Sequence, residues 1–177
     1  SSQENQLDNY HISLRLHEDL INDFFKSMGS IEGKGNATIA SYKWKLIEPR
    51  IDIEEDTILF FSKIRLSVGD FKTHKDVKGW VSASYNQETN KVQLKIEEAK
   101  VILDIDIFGK NVVLTELDIA HYFTKPFNLN GPQPMSEHIE FDLPSGEVRQ
   151  IQVGTNQSYM LLQKDAILVK TSLDFSR

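Results

Sequence analysis

The stretch KIEEAKVILDIDIFG, residues 95–109, changes its buried face partway along. Before it, Val92, Leu94 and Ile96 alternate with polar residues on even numbers. After it, Ala99, Val101, Leu103, Ile105 and Ile107 alternate on odd numbers. Successive side chains of a strand point to opposite faces, so an apolar set cannot change parity without an extra residue. Glu97 and Glu98 therefore mark a β-bulge or a switch between sheets. A straight strand from Val92 to Ile107 would run about 50 Å, longer than the core of a small domain. Bulges bend strands and add twist, so the sequence predicts a strongly curved, wrapped antiparallel sheet.

The rest of the chain supplies strands and two helix candidates. YHISLRL alternates through Tyr10, Ile12, Leu14 and Leu16 and reads as a short strand. HEDLINDFFKSMG changes period, with Leu20, Ile21, Phe24, Phe25 and Met28 forming one apolar stripe on a helix. Glu18 and Asp19 in its first turn and Lys26 near its last suit the helix dipole, and Gly29 suits the C-terminal cap. EGKGN is a turn, and strands follow from ATIASYKWKL, with Pro49 separating that segment from RIDIEED. In TILFFSKIRLSV one face carries Ile58, Phe60, Ile64, Leu66 and Val68, while Leu59 and Phe61 make the opposite face apolar at its start. GDFKTHKD reads as a loop before the strand VKGWVSASY. LTELDIAHYFTKPF is the second helix candidate, with Thr115 as N-cap, Asp118 in the capping-box position and Pro126 as the stop. The tail carries HIEFDL, VRQIQV, SYMLLQ and AILVKTSLDF, in the last of which Ile167, Val169, Leu173 and Phe175 alternate.

Composition narrows the function classes. A chain of 177 residues, 40% hydrophobic and 26% charged, is an ordinary soluble globular mixture and suits one domain, or at most two small ones. The expected organisation is a polar leader over residues 1–9 and a single α+β domain over 10–177. The net charge is -6 and the basic residues are dispersed, so neither a nucleic-acid footprint nor docking on an anionic membrane is indicated. With no cysteine, disulfides, thiolate catalysis and zinc–thiolate sites are excluded. No apolar run reaches the ~18 residues of a membrane span. The opening SSQENQLDN suggests a trimmed or mature form behind a signal peptide or lipid anchor, hence export to a cell envelope or beyond.

Catalysis finds no support in the motifs. His11, His17, His74, His121 and His138 lack metal-ligand spacing and read as surface or capping residues. Asp104 and Asp106 share one face of a strand and alternate with apolar residues, the pattern of a solvated outer face. An enzyme would need a cluster such as His74 with Asp104 assembled from distant strands. The expectation is a non-enzyme with no metal and no cofactor.

The order of elements resembles a known family. The short strand and helix in LRLHEDLIN, the strand pair in VKGWVSASYNQETNKVQLKIEEAKV, a second helical stretch and the closing DAILVKTSLDF together look like the tubular lipid-binding superfamily, which includes the bactericidal/permeability-increasing-type proteins. The chain is most similar to the small single-domain envelope lipoproteins placed near them. That resemblance covers residues 10–175 and implies a curved sheet rolled around a long helix, with a lipid or other apolar ligand inside. The short second helix, ELDIAHYF, departs from the family's long C-terminal one. The fold expected is thus α+β, a long curved antiparallel sheet around an amphipathic N-terminal helix, with a second short helix.

Two functions follow as expectations. The first is binding of a lipid or other apolar molecule, lined by Leu20, Phe24 and Phe25 from the helix and Phe60, Ile64 and Leu66 from the sheet, with Val101, Leu103 and Ile105 behind them. All of these are equally good core residues. The second is a solid-core interaction or assembly module for another envelope protein, using an exposed apolar patch such as one around Trp44 or Trp80.

Overall fold

A computed structural model describes residues 10–134 and 136–177; the expected leader, 1–9, lies outside the described residues. Twelve antiparallel strands and one α-helix are found among them. β1 (Ile12–His17) leads directly into α1 (Glu18–Ser27). Then come β2 (Ile31–Asn36), β3 (Ser41–Ile53), β4 (Ile58–Val68), β5 (Phe71–Asn86), β6 (Lys91–Glu98), β7 (Lys100–Ile107) and β8 (Lys110–Asp118). A 3-10 turn (Ile119–Tyr122) precedes β9 (Phe127–Asn130), β10 (His138–Asp142), β11 (Val148–Gln163) and β12 (Ala166–Ser176). One sheet has the order β2-β3-β4-β5-β6-β9, a second β1-β12-β11-β10, and β7 and β8 form a ribbon.

The parity change at Glu97 has both of its expected causes. Trp80 pairs with Glu98 and Val81 with Ile96, so Glu97 is an extra residue in β6. At Ala99 the chain leaves the six-stranded sheet and becomes β7, which pairs with β8 instead. The crossing passes tightly over Gly79 of β5, whose missing Cβ would lie 2.8 Å from Ala99 Cβ and would run into the Glu98 carbonyl oxygen. Ile119 N–H donates to Ala99 O (2.9 Å), tying the end of the ribbon to the crossing.

One apolar core joins the three sheets and the helix. α1 turns Ile21 and Phe25 inward. The Phe25 ring meets Phe60, Phe123 and Phe127 edge-on at 5.6–6.0 Å, a favoured aromatic geometry. Ile64, Leu66, Val101, Leu103 and Ile105 come from the six-stranded sheet and the ribbon, and Leu16, Ile167 and Val169 from the four-stranded one. His17 caps α1 by accepting from Asp19 N–H, and Gly29 follows the helix with φ +79°, a left-handed turn favourable to glycine. Glu18 closes a knot at the same end: its carboxylate accepts from Ile53 N–H (2.8 Å), and its own N–H donates to Asp165 O (2.8 Å).

The α+β expectation is corrected. The chain is mostly β, 68% strand and 8% helical, with one α-helix against curled half-barrel sheets. The second helix does not form. Thr115, expected as its N-cap, lies within β8, and Asp118 instead caps the 3-10 turn by accepting from Ala120 N–H (3.0 Å). The cause is a bulge. Leu103 pairs with Thr115 but Asp104 with Val113, leaving Leu114 extra. Inward Leu114 and Leu117 then stand three apart, the spacing of a helix face. Three smaller corrections follow. EGKGN is no turn but the body of β2, paired with β3 from Ile31–Leu46 to Asn36–Ser41. Pro49 does not end a strand; it sits with Glu48 (φ 52°) in a bulge inside β3, between the pairs Ile47–Lys63 and Arg50–Phe61. FKTHKD is no loop but the first half of β5, paired with β4 throughout.

Candidate functional site

The four-stranded sheet extends past its own core. In β12 the inward face runs Ile167, Val169, Thr171, Leu173, Phe175 without a break in parity. The first three are buried; Leu173 is half-buried and Phe175 is 64% exposed. β11 follows it through a bulge. Ser158 pairs with Thr171 and Thr155 with Leu173, so Asn156 and Gln157 together oppose Ser172. The bulge moves the inward face of β11 from even numbers (Met160, Leu162) to odd ones (Val153, Ile151). β10 adds Ile139 opposite Ile151 and Phe141 opposite Arg149.

The result is a three-stranded arm whose inward face carries an apolar stripe of Leu173, Phe175, Val153, Ile151, Ile139 and Phe141. Ile139 is 41% and Phe141 44% exposed. Two open clefts run along it. One, of about 540 Å³, has Pro134, Ile139, Val153 and Phe175 on its walls. The other, of about 640 Å³, takes in Phe141, Leu143 and Ile151. The opposite face carries His138, Glu140, Gln150 and Gln152, with Gln150 Nε2 donating to Glu140 Oε1 (2.7 Å).

β10 also forms an edge. Among the described residues no strand pairs with its outer side. Val153 N–H donates to Glu137 O (2.9 Å) and Leu143 N–H to Glu147 O (2.8 Å). Bonded pairs alternate along an antiparallel ladder. Ile139 and Phe141 therefore bond to β11, while His138, Glu140 and Asp142 turn their N–H and C=O groups outward. Such a row is a template for another strand.

The residues expected to line an internal site lie elsewhere. Phe25, Phe60, Ile64, Leu66, Val101, Leu103 and Ile105 come together as packed core. Leu20 (53% exposed) and Phe24 (47%) stand outside it, Phe24 edge-on to Phe127 at 4.8 Å. Neither cleft on the arm is lined by any of them. Of the tryptophans, Trp44 is buried against Tyr122 (ring centroids 5.1 Å) and offers no patch, whereas Trp80 is 49% exposed beside the β6 bulge.

The acidic groups are engaged in structure. Asp104 is no freely solvated outer residue: its side chain is 23% exposed and ion-paired with Lys75 of β5. The hydrogen bond from Lys75, then that from Asn111 Nδ2 (2.9 Å), hold its carboxyl below the usual carboxylate range. The same Asn111 amide reaches Asp106 at 3.3 Å. His74 is exposed on β5 and forms no cluster with Asp104.

The sequence shows the apolar arm only in part. The alternation of Leu173 and Phe175 is plain, but nothing in it distinguishes them from buried Ile167 and Val169. No family model, curated protein or solved structure matches this chain, and nothing ties it to the tubular lipid-binding family.

Proposed function

We propose that this protein is a non-enzymatic interaction module that recruits an extended segment of polypeptide to the open edge of β10. One observation carries the reading: the apolar stripe and the unpaired main-chain row lie on the same strand. An added strand would continue the β10 ladder and lay alternate apolar side chains beside Ile139 and Phe141, the mode of β-augmentation. A lipid tail would cover the stripe but make no use of the outward N–H and C=O groups of His138, Glu140 and Asp142. The internal lipid site first expected has weaker support, since most of its lining residues are tightly packed against one another.

The test is to pan a displayed library of random eight-residue peptides on the protein. Enriched sequences are expected to alternate apolar residues. Their binding is expected to be lost in Glu140→Pro, which removes one outward N–H without touching the β10–β11 ladder, and in Phe141→Asp. Absence of enrichment, with uptake of a fluorescent fatty acid instead, would return the lipid reading.

A further inference from the structure

We infer that the strand seated on β10 is β10 of a second copy of this chain, antiparallel and related by a two-fold axis at Ile139. The inference rests on the open-edge reading above. It follows from asking which registers of HIEFD against itself are permitted.

Outward main-chain groups must face outward groups, which confines the axis to a residue position rather than a point between residues. Registers shifted by one residue would also set the apolar face of one copy beside the polar face of the other. Five centres remain. An axis at Glu140 pairs His138 with Asp142 and Ile139 with Phe141, but sets the Glu140 carboxylate against its own copy at the centre. An axis at Phe141 sets Glu140 against Asp142 and places His138 opposite Pro144, which has no N–H to give. An axis at Asp142 sets that carboxylate against its own copy. An axis at His138 opposes two like side chains and gains no attraction.

The axis at Ile139 differs from all of these. It places His138 opposite Glu140 of the other copy, twice, and Asp142 opposite Ser136. No two carboxylates among these outward positions face each other. On the inward side Ile139 meets its own copy, with Phe141 opposite Glu137 and diagonal to Ile139, within reach of an aromatic ring. Both apolar stripes then lie on the same side of one continuous eight-stranded sheet. The His138 imidazole can donate to the facing Glu140 carboxylate, and this polar pair and the apolar one both favour pairing.

Sedimentation velocity across a concentration series tests this with a charge exchange. His138 and Glu140 are exposed on the polar face, so the variants keep their fold, which a thermal melt of each verifies. The wild type is expected to dimerise. His138→Glu sets two glutamates against two glutamates and is expected to weaken the dimer roughly tenfold. Glu140→Lys removes the attraction and weakens it less. The double variant, His138→Glu with Glu140→Lys, sets opposite charges against each other in this register and is expected to recover most of the loss. With the axis at Glu140 the same double variant would face lysine with lysine and glutamate with Asp142, and would be no tighter than His138→Glu. A wild type that stays monomeric, or a double variant no tighter than His138→Glu, overturns the inference. If peptides from the library still bind a monomeric wild type and Glu140→Pro abolishes that binding, the second copy falls and the open edge stands. If neither occurs, both fall.

Discussion

At the scale of single residues, two positions decide more than their size suggests. Gly79 is where β5 lets the departing chain cross. Any Cβ there meets the Glu98 carbonyl oxygen and Ala99, both backbone or near-backbone atoms that cannot swing aside. Gly79→Ala is expected to cost about 1–3 kcal/mol as overpacking, read from the urea midpoint, whereas Ala at Gly154, which has open space, is expected to cost far less. Asp104 is the second. Its carboxyl titrates below the unfolded value because Lys75 and Asn111 hold the charged form. The stabilisation is therefore fully present above the ordinary carboxylate range and lost as pH falls through the lower, folded value. Wild type is expected to lose more of its urea resistance between pH 7 and pH 3 than Asp104→Asn does. Parallel losses in the two proteins would show the pair to be idle.

At the scale of elements, the helix and the sheet switch were legible and β8 was not, for one physical reason. Binary patterns report the spacing of apolar residues, and spacing identifies an element only while its period is unbroken. α1 keeps its period from Leu20 to Met28, and that pattern alone gives the helix. The Glu97 bulge announced itself because long clean alternations flank it. The Leu114 bulge sits in a short strand, where one extra residue converts a period of two into the three-residue step of a helix. The first half of β5 carries no apolar alternation, because its inward positions are Thr73 and Lys75, and the partner of Lys75, Asp104, is remote in sequence. Within α1 the two phenylalanines separate cleanly. Phe25 is 2% exposed and central to the aromatic cluster, so Phe25→Ala is expected to cost about 3–5 kcal/mol. Phe24 is half-exposed and its main aromatic partner is Phe127, so Phe24→Ala is expected to cost about 1 kcal/mol. Denaturant unfolding of both variants measures the difference.

At the scale of the whole molecule, exposure is what the sequence withholds. Leu173 and Phe175 continue the parity of Ile167 and Val169; only the arrangement of the other sheets decides which of the four are covered. The arm exists because β10, β11 and the end of β12 extend beyond that cover. The same four-stranded sheet has a consequence in time. β1 is joined along its whole length to β12, His17 to Ala166 and Ile12 to Thr171, across about 150 residues of chain. On a ribosome working at about 5–20 residues per second, β1 would wait roughly 8–30 s for the only strand it pairs with among those described. Its apolar side chains, Leu14 and Leu16, spend that interval without their final neighbours. β1 is thus made before every other described strand yet is among the last of them to be locked, and its apolar face stays open to misassociation until β12 follows.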